Sequence, residues 1–159
     1  SGSIVSQGMW DVLVEGSDQL GPIGHGWTYS AHPICAAAGV ANLNLIDELG
    51  LVKNAGEVGM YFRKNLSDAL SSHKNVGEVR GDGLMAAVEF VEDKQDRHFF
   101  ESARKIGPSI SAALLEEGVI GRAMPQGDIL GFAPPLCMTT DEADIVVKAV
   151  ERSIRKVLG

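Results

Sequence analysis

Apolar and polar residues alternate along this chain with two periods, and the switch between them divides it into elements. Ile4-Val5-Ser6 is short and compatible with a strand. Met9, Trp10, Leu13 and Val14 make a brief helical pattern. The glycines and acids of Glu15 to Gly26, with Pro22, predict a loop. After Ser30 an alanine-rich helix places Ile34, Ala37, Ala38, Ala41 and Leu45 on one face, and Gly50 supplies a left-handed cap. Leu51, Ala55, Val58, Phe62, Leu66 and Leu70 then repeat near the helical period, so two helices meet at Gly50. That kink is the expected domain boundary.

The period changes to two at Val76 to Val91. Leu84, Ala86, Val88 and Phe90 fall on one side of a strand, and Met85, Ala87 and Val91 on the other. Apolar residues on both faces predict a well-covered strand. Arg80-Gly81-Asp82-Gly83 is expected to turn just before it, and Glu92 to Arg97 to form a charged surface loop. Ile106, Ile110, Ala113 and Leu114 mark a helix from Arg104 to Glu117, with Pro108 tolerated in its first turn and Gly118 closing it. Val119 to Ala123 and Ile129 to Phe132 suggest paired strands around Met124-Pro125-Gln126-Gly127. Thr139-Thr140-Asp141-Glu142 has the spacing of a capping box for a last helix, with Val146, Ala149, Val150 and Val157 as its buried stripe. From Gly50 onward this order implies an α/β unit with helices packed on one side of a small sheet. The preceding segment is too short for a domain, and its alanine face needs a partner.

Composition narrows the function classes. The chain has 159 residues, 45% of them hydrophobic and 22% charged, as globular domains do. Its net charge of −7 argues against nucleic acid and against a basic membrane-binding face. No apolar run approaches the roughly 20 residues of a spanning helix. Ser1-Gly2-Ser3 lacks both an initiator Met and a signal-peptide pattern. Cys35 and Cys137 are far apart with no ligand spacing, so they are expected as buried reduced thiols in a reducing, cytoplasmic compartment. His25, His32, His73 and His98 are scattered, and no metal site is expected.

The chemistry gathers in Gly24-His25-Gly26-Trp27-Thr28-Tyr29-Ser30-Ala31-His32-Pro33. Glycines give way to aromatic and hydroxyl residues just before a helix. Hydroxyls beside the unpaired N–H groups of a helix start suit a phosphate, although many helices begin with Ser or Thr and bind nothing. The stretch His25 to Pro33 resembles the H-G-aromatic-T-Y-S-small-H-P motif of class III (ω-) aminotransferases, pyridoxal-phosphate enzymes of fold type I. Val79-Arg80-Gly81-Asp82-Gly83-Leu84-Met85 and Ala133-Pro134-Pro135-Leu136 follow in that family's order.

The resemblance implies a C-terminal portion of such an enzyme, of the amine or β-alanine:pyruvate branch. Residues 1–49 would end the large cofactor-binding domain, and 50–159 would form the C-terminal small domain. It implies a homodimer in which Thr28 hydrogen-bonds the cofactor phosphate held mainly by the other subunit. Trp27 would line the substrate pocket and adjoin the phosphate through its backbone, or be a plain interface aromatic. Arg122 matches an arginine that pairs with a substrate carboxylate, which suits a planar guanidinium. By itself, an arginine on a hairpin strand is more often a solvated surface group. His25 and His32 are expected to be structural, because the Schiff-base lysine shuttles the proton in this fold.

That lysine is expected upstream of Ile4. The lysines present, Lys53, Lys64, Lys74, Lys94, Lys105, Lys148 and Lys156, all follow the motif. Alone, the chain is therefore expected to be inactive. The whole enzyme would pass an amino group from an amine or ω-amino acid to a keto acid such as pyruvate. Two alternatives stand beside this: a non-catalytic α/β assembly or ligand-binding domain, and an aminomutase or decarboxylase using the same cofactor.

Overall fold

The computed structural model describes residues 3–24, 26–96 and 98–159. They fall into two compact units, residues up to Ala41 and Asn42–Gly159.

The first unit opens with α1 (Gln7–Leu20). The loop expected from Glu15 starts only at Gly21, because α1 carries on through Gly16, and Ile4-Val5-Ser6 forms no strand. Ser6 caps the helix by accepting from the Met9 N–H at 3.3 Å. Gln7 donates to Asp11 at 2.7 Å and the Ser17 hydroxyl to the Leu13 carbonyl at 2.8 Å. The Ser6 cap offsets the roughly 1 kcal/mol that a mid-helix glycine costs. Gly21, at φ 90°, ends the helix. The second helix, α2 (Pro33–Glu48), runs from the first unit into the second, and neither α1 nor α2 has a buried residue in this chain. Gly50, at φ 59°, supplies the expected left-handed cap between α2 and α3 (Leu51–Leu70).

In the second unit α3 buries Val58, Phe62, Leu66 and Leu70, close to the expected stripe. The region expected as one strand after a turn is a hairpin of β1 (Val76–Asp82) and β2 (Met85–Phe90). Arg80, Gly81 and Asp82 are paired with Ala87, Ala86 and Met85, so the turn lies at Gly83-Leu84. A register shift between Val76 and Glu78 lets Val76 and Val79 both face the core despite their odd separation. The helix α4 (Ile106–Glu116) follows a single 3₁₀ turn, with Pro108 in its first turn as expected. Asp128 accepts from the Gly107 N–H at 2.8 Å at that helix start.

Only Arg122–Ala123 forms β3, which pairs with β4 (Ile129–Phe132). Val119 to Gly121 was expected to be strand. The Ser111 hydroxyl takes the Gly121 carbonyl at 2.5 Å and the Val119 N–H goes to Leu114, so α4 claims that backbone. The antiparallel sheet has the order β1-β2-β4-β3.

The last helix, α5 (Thr140–Leu158), has the expected capping box. Glu142 N–H donates to the Thr139 hydroxyl at 3.3 Å, and Thr139 N–H to the Glu142 carboxylate at 2.8 Å. The Thr139 N–H and then the Thr139 hydroxyl, both donating to it, hold the Glu142 carboxyl below its ordinary range. Its buried stripe is Ala143, Val147, Val150 and Ile154 with Ala149, while Val146 and Val157 sit at the margin. The helix is turned by about one residue from the expected face because its core contacts lie on α3 and α4.

Helices cover one face of the sheet. Ala86, Val88, Phe90, Leu130 and Phe132 join Phe62, Ile110, Leu114 and Val150 in one core, where the rings of Phe62 and Phe132 meet edge-on at 5.9 Å. On the opposite face Met85 is 63% exposed, so the strand is covered on one side where two were expected. Cys35 and Cys137 are free but exposed in this chain, not buried. Among the described residues no single helix is long and apolar enough to cross a membrane.

Two stability predictions follow from this packing. A Cβ at Gly59 of α3 would penetrate the Gly83 carbonyl in the β1–β2 turn. Gly59→Ala should lower unfolding free energy by at least about 2 kcal/mol in urea, and an unchanged midpoint would contradict that approach. Burial pushes the His73 imidazole below its ordinary range, helped by Lys74 and Arg155, while its Nδ1 accepts from the Asn75 N–H. Its neutral form therefore stabilises the fold above the unfolded imidazole value near pH 6.5, and that contribution is lost as pH falls through the lower folded value. The fall in urea midpoint from pH 7.5 to 5.5 should be smaller in His73→Gln; equal falls would exclude His73 as the cause.

Candidate functional site

Two groups of residues carry chemistry, one in each unit. In the first, Trp27 to Ser30 form a turn: Ser30 N–H donates to the Trp27 carbonyl at 2.9 Å, and the Trp27 N–H returns to the Ser30 hydroxyl at 3.2 Å. Ala31 follows at φ 57°, a left-handed conformation that non-glycine residues seldom adopt. The chain then enters α2 at Pro33, where a missing N–H costs nothing. Ser30 is thus spent on the turn, whereas Thr28 is exposed and its hydroxyl has no partner among the described residues. Trp27 is 72% exposed. His32 is half-buried, its Nδ1 has no hydrogen-bond partner among the described residues, and its ring lies 6.4 Å from that of Tyr29. His25 lies outside the described residues.

This fits a phosphate partway. One exposed hydroxyl, that of Thr28, stands in the turn that precedes α2, and a hydroxyl can donate to a phosphate oxygen. It is one contact of a phosphate site and not a complete cradle.

In the second unit Arg122 stands on β3 opposite Gly131. Gly131 is opposite Ala87, and Ala87 is opposite Arg80. These four residues form one row across the sheet on the face that the helices leave open. The two small residues make its floor, and Met85, Met124 and Ile129 stand around it. The concavity holds about 620 Å³. A Cβ on Gly131 would reach the Met124 sulfur at 3.3 Å, so glycine keeps that floor low.

Arg80 is an ion-paired member of this row. Its Nη1 lies 2.7 Å from Glu78 and 2.8 Å from Glu89. The hydrogen bond to Glu89 is the main reason its guanidinium is held charged above the ordinary range. Glu78 and Glu89 face each other in the register, and Arg80 offsets their repulsion. Arg104, Arg152 and Arg155 are also ion-paired, and Arg63 donates to the Gly83 carbonyl. Among the described arginines, Arg122 alone has a guanidinium with no hydrogen-bond or ion-pair partner. An unpaired guanidinium beside an apolar floor is arranged to take a carboxylate bidentately.

Sequence reasoning missed Arg80, Glu78 and Glu89 by treating Arg80 as part of a turn. The alternation Glu78-x-Arg80, with Glu89 at matching spacing from the hairpin turn, was the available signal. Lys53, Lys64 and Lys156 are tied to Glu57, Asp68 and Glu116, and no lysine lines the concavity. Among the described residues no group of His, Cys, Asp or Glu has metal-holding geometry.

Comparisons with known proteins agree with one another. The family model described as aminotransferase class-III matches residues 12–154. The diaminobutyrate–2-oxoglutarate transaminase of Halomonas elongata is 52% identical over 157 residues, which is 99% of this chain and 34% of that protein. A probable gamma-aminobutyrate transaminase 3 of Oryza sativa is 31% identical over 91% of this chain and 28% of its own length. A solved structure from the directed evolution of transaminases by ancestral reconstruction superposes with a TM-score of 0.91 at 55% identity, covering 97% of this chain and 34% of its own. A thermostable omega transaminase mutant from Pseudomonas jessenii gives 0.88 at 33% identity, covering 96% and 33%. The chain spans about a third of the length of these relatives.

Proposed function

The chain belongs to the class III aminotransferase family, and from this we propose that it is the C-terminal part of a pyridoxal-phosphate transaminase. Residues 1–49 close the large cofactor-binding domain and 50–159 form the small domain. The enzyme moves an amino group from an amine or ω-amino acid to a keto acid such as pyruvate. The observation that carries this is Arg122, the one described arginine without a partner, set in the concavity of the open sheet face.

Pyridoxal phosphate, when bound, withdraws electrons from the amine-bearing carbon of the substrate. What this chain supplies is binding. Thr28 would hold the cofactor by donating its Oγ1 hydrogen to a phosphate oxygen. Trp27 lines the amine pocket. The two Nη groups of Arg122 hold the keto-acid carboxylate, and the arginine moves aside for an uncharged amine. The Schiff-base lysine, the acid paired with the pyridine nitrogen and the stacking aromatic come from residues outside this chain, so this chain alone does not turn over.

A second subunit completes the site in a homodimer. Support comes from the first unit's apolar side chains: Met9, Trp10, Val12, Ile34 and Val40 are all exposed in the single chain. The free cysteines support a cytoplasmic setting. The name of the Halomonas relative adds diamino acids to the donors worth testing, with 2-oxoglutarate as a second acceptor.

An amine-donor screen of the full-length protein, following alanine formed from pyruvate, tests the reaction. Alanine accumulation supports it; a rearranged amine or released carbon dioxide would indicate a mutase or a decarboxylase. Thr28→Ala should weaken cofactor retention by about 1–3 kcal/mol, measured by dialysis against cofactor absorbance. Unchanged retention would remove Thr28 from the phosphate site. Arg122→Ala should raise the KM for pyruvate much more than that for a carboxylate-free amine, and equal changes would make Arg122 structural.

A further inference from the structure

Arg122 lies within reach of a carboxylate of its own chain, yet it pairs with none. The register fixes the geometry. Arg122 is opposite Gly131, and Glu89 is opposite Ile129 two residues along β4. Strand spacing and rise put their Cα atoms about 12 Å apart, two strands across and two residues along. An extended arginine and an extended glutamate close that gap. Ala87 and Gly131 leave no large side chain in the row between Arg122 and Arg80. Glu89 is 22% exposed at its side chain and sits on the open face, yet its carboxylate is committed to Arg80 at 2.8 Å. Glu78 also pairs with Arg80, but it lies one strand further away, about 16 Å from Arg122 by the same spacing.

We propose that Arg80 is a positioning residue for Arg122: by holding Glu89, it keeps that open-face carboxylate from capturing the arginine that must receive the substrate. The inference rests on the carboxylate-binding reading of Arg122. It also explains the charge arrangement. Two glutamates face each other across β1 and β2, an unfavourable pairing on its own, and one arginine binds both. If Arg80 is removed, Glu89 loses its cation while Arg122 is the unpaired guanidinium on the same face. The resulting Arg122–Glu89 pair competes with the keto acid and leaves amines without a carboxylate unaffected. Arg80 touches neither substrate nor cofactor in this account.

The test is steady-state kinetics of the full-length holoenzyme with pyruvate and a carboxylate-free amine. Arg80→Met should raise the KM for pyruvate by at least about tenfold, the scale of a charge-assisted hydrogen bond, with little change in the KM for the amine. Arg80→Met with Glu89→Gln should restore the pyruvate KM, because no carboxylate then reaches Arg122. Arg80→Met with Glu78→Gln relieves the same cross-strand repulsion but leaves Glu89 free, and it should not restore it. An unchanged KM in Arg80→Met, or equal rescue by both double variants, would overturn the inference. Failure of Arg122→Ala to affect pyruvate would instead sink the reading beneath it, so the two failures are distinct.

Discussion

The second unit is governed by one-sided burial. Helices α3, α4 and α5 cover a single face of a four-stranded antiparallel sheet, and alternate residues of β2 and β4 fill the core between them. Because side chains alternate in direction along a strand, burying Ala86, Val88 and Phe90 sends Met85, Ala87 and Glu89 to the other side. That open face is where charge is tolerated, and where Arg80, Glu78, Glu89 and Arg122 are found. The chemistry follows from the packing, since the same arginines turned inward would carry a large desolvation cost.

Arg63 and Gly59 fix the sheet to α3. Arg63 donates to the Gly83 carbonyl, and the absence of a side chain at Gly59 lets that carbonyl approach the helix. The β1–β2 turn is therefore anchored from the helical side. Burial fixes the row Arg80–Ala87–Gly131–Arg122 in register, because a one-residue slip would send the row into the core. Among its described residues the first unit has no such buried layer, and Trp10, Trp27 and Ile34 are exposed.

Local signals with a backbone mechanism were legible in the sequence. Thr139 and Glu142 form their capping box, Gly50 adopts the left-handed cap, and the apolar stripe of α3 matches its buried residues. What failed depended on partners outside the segment being read, within the same helix for α1 and across the fold for the rest. Gly16 did not break α1, and Val119 to Gly121 lost their strand because Ser111 and Leu114 took their backbone groups. Arg80-Gly81-Asp82 looked like a turn in isolation, but cross-strand pairing moved the turn to Gly83-Leu84. Thr28, Trp27 and Arg122 stood out through the family resemblance, and the isolation of Arg122 could not be seen without knowing where the other described arginines point. The cysteines were misjudged because burial depends on packing that a composition argument does not contain.

In the proposed enzyme Arg122 is kept unpaired in order to bind a carboxylate. The most direct measurement is a crystal structure of the full-length holoenzyme with an unreactive carboxylate analogue of pyruvate. Both Nη groups of Arg122 should lie within hydrogen-bond distance of the carboxylate oxygens, with Arg80 still bound to Glu89. A carboxylate held by other groups while Arg122 points into solvent would contradict the account.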